Sequence, residues 1–247
     1  MRTQRAGSLA QGLVGAWCPS LGATGFRLQD RSGRNNHCSM LNTASTSWQA
    51  SGGKLAFLHD GTDDRVFSSS FPMSAMGDQN NSFSAWINPT TTNASARPFG
   101  LGQFGISFGL RFNFQNLEFL FGGTAVLSVA MSSATYANRW THICGVADAS
   151  GARLFFDGVQ VGTRSDTVSL SKTNGLGIGY RFGINSDFYS GLTDDFRLYA
   201  RTLTHAEIRQ LYVGGRGFGL SPERPRRRGT AAAAAFNKRR RVLLTAG

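Results

Sequence analysis

FGISFGLRF, residues 104–112, places Phe104, Ile106, Phe108, Leu110 and Phe112 at every second position, with Gly105, Ser107, Gly109 and Arg111 between them. A helical face needs apolar spacings of three and four, so this period of two predicts a strand with one buried side. The same reading extends outward. SFSAWIN (82–88) alternates Phe83, Ala85 and Ile87 against Ser84, Trp86 and Asn88, and residues 117–121, 140–147, 153–156 and 191–199 read as further strands. Between ARLFF and VQVGT stands Asp157-Gly158, a pair that accepts the positive φ angles of a type I′ turn, which predicts a tight hairpin. The 31 glycines serve many turns and the 19 phenylalanines supply a core, so the chain is expected to be all-β. At 247 residues one antiparallel two-sheet sandwich suffices.

One segment breaks the pattern. In LTHAEIRQLY (203–212), Thr204 and Glu207 form a capping box and Leu203 and Ile208 occupy hydrophobic-staple positions. Ile208, Leu211 and Tyr212 then make one apolar face, and Gly214-Gly215 stops the helix. After Gly219 the composition shifts to SPERPRRRGTAAAAAFNKRRRVLLTAG, which cannot build a core of its own. The expected organisation is an N-terminal arm at 1–11, a sandwich at 12–219 and a basic tail at 220–247. From Gly214 onward nine Lys/Arg oppose only Glu223, so this end carries +8 of the formal +12 and the body is only mildly basic. Three readings of the tail stand open: a solvated disordered segment, nucleic-acid contact, and docking through the apolar Val242-Leu243-Leu244 end onto another chain's sheet edge. Nucleic acid is disfavoured, because only Phe236 interleaves the arginines.

The remaining features mostly exclude. Cys18, Cys38 and Cys144 are odd in number and lack metal-ligand spacing, so no disulfide framework is expected. The start of the chain lacks the apolar stretch of a secretory signal, and no run is long enough to span a bilayer. Gly105 to Gly109 fits the nucleophile-elbow string and Gly100 to Gly105 the dinucleotide fingerprint, but neither sits in a strand-turn-helix unit. His37, His59, His142 and His205 show no ligand spacing and are expected to be structural. Trp86 and Trp140 either stack on sugars from a concave face or belong to the core.

The ordered motifs resemble the laminin G-like jelly-roll family, within the concanavalin A-like lectin and glucanase fold. GLVGAW with LQDRSGRNNHCSML is similar to that family's first strand and its Asp-x-Ser-Gly-x-x-Asn-His-Gly loop, and FLHDGTDDRV to its Phe-Asp-Gly-Thr segment. SFSAWINPT, WTHICGVADASGARLFFDGVQVG and the closing GLTDDFRLYARTLTHAEIRQLY follow in the family's order. Cys38 and Asn35 stand where the family usually has glycine, and Arg65 where it commonly has tyrosine. The resemblance implies one structural calcium ion on Asp30, Asn36 and Asp194, clamping the first loop to the last strand. Alternatively, Asp30 caps a turn and Asp194 pairs with an arginine.

Related glucanases carry Glu-x-Asp-x-Glu on a strand, whereas this chain has three glutamates, Glu118, Glu207 and Glu223, in separate segments. Asp194-Asp195 is not expected to substitute, since neighbours on a strand point to opposite faces. No enzyme is expected. Two functions are: a lectin-like jelly roll displayed on a larger assembly such as a phage virion and anchored by its tail, or a free glycan-binding module with a disordered tail. The first implies a protein partner for the tail, a homo-oligomer or multi-subunit particle, and a location on a virion or extracellular surface.

Overall fold

The computed structural model describes residues 9–44, 47–51, 54–102, 108–122, 125–166, 170 and 173–215. The basic tail at 220–247, most of the N-terminal arm and residues 103–107 of the opening stretch lie outside the described residues. Within them, alternation sets the strands where it is clearest. Phe108–Phe112 is a strand whose Phe108, Leu110 and Phe112 are wholly buried.

One eight-stranded antiparallel sheet, the helix-side sheet, contains β1 (Leu13–Trp17), β4 (Trp48–Ser51), β5 (Lys54–Asp60), β7 (Asn81–Pro89), β12 (Thr141–Asp148), β13 (Gly151–Phe156), β14 (Val159–Arg164) and β16 (Ser190–Tyr199). Its order is β14-β13-β12-β7-β16-β5-β4, with β1 also paired to β16. The opposite sheet contains β2 (Arg27–Leu28), β3 (Cys38–Leu41), β6 (Arg65–Ser68), β8 (Ala96–Leu101), β9 (Phe108–Phe112), β10 (Asn116–Phe121), β11 (Ala125–Ala130) and β15 (Leu176–Ile178), ordered β11-β10-β9-β8-β15-β6-β3-β2. This is a jelly-roll sandwich.

The inward residues of both sheets interdigitate as a phenylalanine cluster. Phe83 of β7 lies 4.8 Å from Phe99, 5.8 Å from Phe108 and 5.2 Å from Phe119, ring centre to ring centre, in edge-on arrangements that aromatic rings favour. Gly145 of β12 leaves room for this ring, since a Cβ there would sit inside the Phe83 ring edge. Asp157 and Gly158 join β13 to β14 with φ of 51° and 79°, the expected tight hairpin.

A one-turn helix, α1 (Ser133–Tyr136), precedes β12, and α2 (His205–Gly215) follows β16. The capping box forms as expected: Glu207 Oε2 accepts from Thr204 N at 2.9 Å, and Thr204 Oγ1 accepts from Glu207 N at 3.3 Å. Leu203, Ile208 and Leu211 then pack with Cys144, Val146, Phe155 and Tyr199, a second apolar cluster on the outer face of the helix-side sheet. Among the described residues no helix is long and apolar enough to cross a membrane.

Candidate functional site

The central strand β16 carries the main irregularity. Its pairing with β7 runs through Asp194 opposite Trp86, then shifts to Arg197 opposite Ser84. Asp195, inside the shift, has φ +46°, a left-handed backbone on a residue with a side chain. Phe196 and Leu198 still point into the core, while Asp194 and Asp195 now share the outer face. The expectation that these neighbours point to opposite faces is therefore corrected: it assumed regular pleating, and a bulge inserts the extra residue that cancels it. Both carboxylates line one cavity of about 160 Å³ with Cys18, Ser20, Arg197 and the last residues of α2, Gly214 and Gly215.

Each group in that cavity is already committed. Asp195 holds Arg197 through two bonds, Nε to Oδ1 at 2.6 Å and Nη2 to Oδ2 at 3.0 Å, and accepts from the Cys18 thiol at 3.1 Å. Burial first, and Asp195 second, raise the Cys18 pKa, so the sulfur stays a protonated donor and not a nucleophile. Asp194 is buried and accepts from Ser20 N at 2.9 Å; burial outweighs that bond and lifts its carboxyl to about 6. Nearby, Ser84 Oγ and His142 Nε2 lie 2.9 Å apart, and burial lowers His142 to about 4. The hydrogen bonds among the described residues give Asp195 to Arg197 and Cys18, and His142 bonds Ser84 instead. The site is a hydrogen-bonded polar layer closed by α2, in which Arg197 offsets Asp195 and Asp194 is held by the Ser20 amide. Trp86 lies in it, 5.9 Å from the stacked Tyr212 ring, and is thus on the outer face of the sheet but covered. Trp140 is half-buried and donates to Ser51 Oγ at 2.9 Å.

Asp30 and Asn36 are brought together elsewhere, in the loop after β2. Asp30 Oδ1 accepts from Ala16 N and Ser32 N, both at 2.8 Å, and Oδ2 from Ser32 Oγ at 2.8 Å and Asn36 N at 2.9 Å. Asn36 Nδ2 donates to Val14 O at 2.8 Å. Four donors converge on one carboxylate, which organises the turn as an anion would at a nest of amides. A calcium ion would need those lone pairs, and Asp194 is turned to Ser20 instead, so these residues do not fit the ion. Asp60, Asp63 and Asp64 are the acidic group that could close around a cation among the described residues, but Asp60 and Asp64 accept from backbone amides of their own turn. Glu118 is held by Arg111 and, at 2.9 Å, by Asn113, while Glu207 serves the helix cap; Glu223 lies outside the described residues.

With its two antiparallel sheets and closing helix, the molecule is of the lectin-like jelly-roll class. A laminin G family model, described as concanavalin A-like lectin/glucanases superfamily, matches residues 60–209. The chain belongs to that superfamily. A comparison with curated proteins finds no match.

Among solved structures, the botulinum neurotoxin serotype D ligand binding domain in complex with N-acetylneuraminic acid superposes with TM-score 0.60 at 17% identity, over 84% of this chain and 52% of that one. Domain 4 of an extracellular arabinanase from Geobacillus stearothermophilus, in complex with arabinotriose, gives 0.55 at 15% identity, over 81% of this chain and 98% of that one. A mutant Trypanosoma rangeli sialidase gives 0.61 at 17% identity, over 85% of this chain and 34% of that one. The chain thus spans about half of the neurotoxin domain and a third of the sialidase, and at these identities the likeness is one of fold.

Proposed function

We propose that the protein is a non-catalytic, lectin-like carbohydrate-binding module. The observation that carries this reading is the closure of the outer sheet face. The two carboxylates that the bulge brings onto that face are both engaged: Asp195 is locked to Arg197, and Asp194 is bound to Ser20 beneath α2. Hydrolysis by two carboxylates needs one free to protonate and one free to attack. Binding needs neither, and two fold neighbours are described in complex with sugars, which supports a glycan ligand here.

The finer reading is display on a larger assembly, such as a phage virion, anchored by residues 220–247. It rests on the +8 charge concentrated after Gly214 and on the apolar Val242-Leu243-Leu244 terminus. Light scattering of the full chain and of a 1–219 truncation at low and high salt, with a glycan array on both, tests the two levels separately. The full chain alone should associate, and both forms should bind the same sugars. Equal monomers would remove the anchoring role, and silence of both on the array would remove the carbohydrate reading.

A further inference from the structure

The turn that joins β9 to β10 combines strain with exposure. Asn113 and Asn116 close it with reciprocal backbone bonds of 2.9 and 3.2 Å. The two residues between them, Phe114 and Gln115, have φ of 45° and 66°. Turns of this geometry favour Asn-Gly or Gly-Gly, because a side chain in the left-handed region crowds the backbone. The same molecule uses Asp157-Gly158, a sequence suited to these angles, between β13 and β14. Phenylalanine could offset the strain by burying its ring, yet Phe114 is 64% exposed. A bulky aromatic held in a disfavoured conformation without burial points to a role in contact with something else.

That turn is anchored on all sides. Gln115 N donates to Thr92 O at 2.8 Å, and Met131 N donates to Gln115 O at 2.8 Å. Thr92 N donates to Ser133 Oγ at 2.9 Å, with the two hydroxyls also 2.9 Å apart, which ties the loop at 90–95 to α1. Around Phe114 the exposed side chains are Thr90, Thr91, Asn93, Ser95 and Gln115, all hydroxyls and amides. Residues 90–96 and 113–116 contain no charged side chain, and the flanking charges are engaged with one another: Arg111 with Glu118, and Arg97 and Arg181 with the one carboxylate of Asp187, at 3.2 and 3.9 Å.

An aromatic face set among neutral donors and acceptors is the chemistry that recognises a sugar ring, whose C–H face lies on the π-system while its hydroxyls bond the rim. We propose that the Phe114 turn and the neighbouring 90–95 loop form a contact site for an uncharged carbohydrate. This rests on the carbohydrate-binding reading and names its ligand class.

The test uses the full chain and its Phe114→Gly variant on an array carrying neutral arabinan, mannan and galactan oligosaccharides and N-acetylneuraminic-acid-terminated glycans, with phosphatidylcholine vesicles alongside. Glycine relieves the turn, so the variant should melt no lower than the wild type while losing about tenfold or more of its affinity for a neutral sugar. Unchanged sugar binding by the variant would overturn the site and leave the carbohydrate reading standing. Wild-type binding to the sialylated probes alone would overturn the assignment to an uncharged ligand. Phe114-dependent binding to the vesicles without sugar binding would overturn it in favour of a membrane contact. A wild type that binds none of the glycans would remove both the site and the reading beneath it.

Discussion

Mild acid, between pH 7 and about pH 5, should destabilise this protein, because two histidines are buried as neutral groups. His59 and His142 are both fully buried, one bonded through Nε2 to Thr193 at 3.1 Å and the other to Ser84 at 2.9 Å. In each, Nδ1 has no hydrogen-bond partner among the described residues. A proton on Nε2 leaves only an acceptor orphaned at Nδ1, whereas protonating the ring would bury a charge. Burial therefore lowers His59 to about 3 and His142 to about 4, from 6.5 in the unfolded chain.

For a base with a depressed folded pKa, the unfolded state binds the extra proton, so stability is present above 6.5 and is lost as pH falls. Between pH 7 and about pH 5 each histidine removes about 2 kcal/mol at roughly 1.4 kcal/mol per pH unit. Asp194 works the other way. Its folded pKa of about 6 lies above the unfolded value, so its cost is present above about 6 and is relieved as pH falls; it returns about 1 kcal/mol over the same interval. The net loss is about 2 to 3 kcal/mol, a large part of the roughly 5 to 15 kcal/mol that holds a domain. Urea unfolding at the two pH values measures it, and His59→Asn or His142→Asn should each flatten the difference by about 2 kcal/mol. Equal stability at both pH values, or an unchanged pH difference in both variants, would refute the burial argument.

Other substitutions separate competing roles. Asp194→Asn keeps an oxygen for Ser20 N and removes the buried charge, so at pH 7 it should stabilise by up to about 3 kcal/mol in the same urea assay. If Asp194 held calcium, the variant would instead destabilise and the wild type would melt lower in a chelator. Glu207→Ala strips the helix cap and leaves Arg201 without its two bonds of 2.9 and 2.7 Å, costing about 2 to 3 kcal/mol. Tryptophan emission should shift to the red at lower urea as α2 leaves Trp86.

What the sequence made legible was whatever depends on local pattern. Period two located β7, β10, β12 and β16, the Asp157-Gly158 pair located its hairpin, and the Thr204–Glu207 spacing located α2. Trp86 was less legible, because alternation says that it opposes Phe83 and Ile87 but not that a helix then covers it. The bulge at Asp194-Asp195 was invisible: Thr-Asp-Asp-Phe-Arg contains no glycine, and the extra residue exists only relative to a partner strand distant in sequence. Asp30 was read as an ion ligand or a turn cap from one and the same loop motif. Only the amides of Ala16, Ser32 and Asn36 converging on it distinguish the two.

The two type I′-like turns make the division between folding and function concrete. At Asp157-Gly158 residue type and backbone agree, and the hairpin is assigned from sequence because nothing there opposes it. At Phe114-Gln115 the backbone is alike and the residues are wrong for it, so the sequence carries no turn signal and the chain bears the strain. A protein whose sheet face is sealed by its own helix, with each buried carboxylate matched to a donor, has little chemistry left there for a partner. The misfit turn, rigidly tied to Thr92 and presenting an aromatic ring to solvent, is where local consistency has been given up, and therefore where a ligand is best sought.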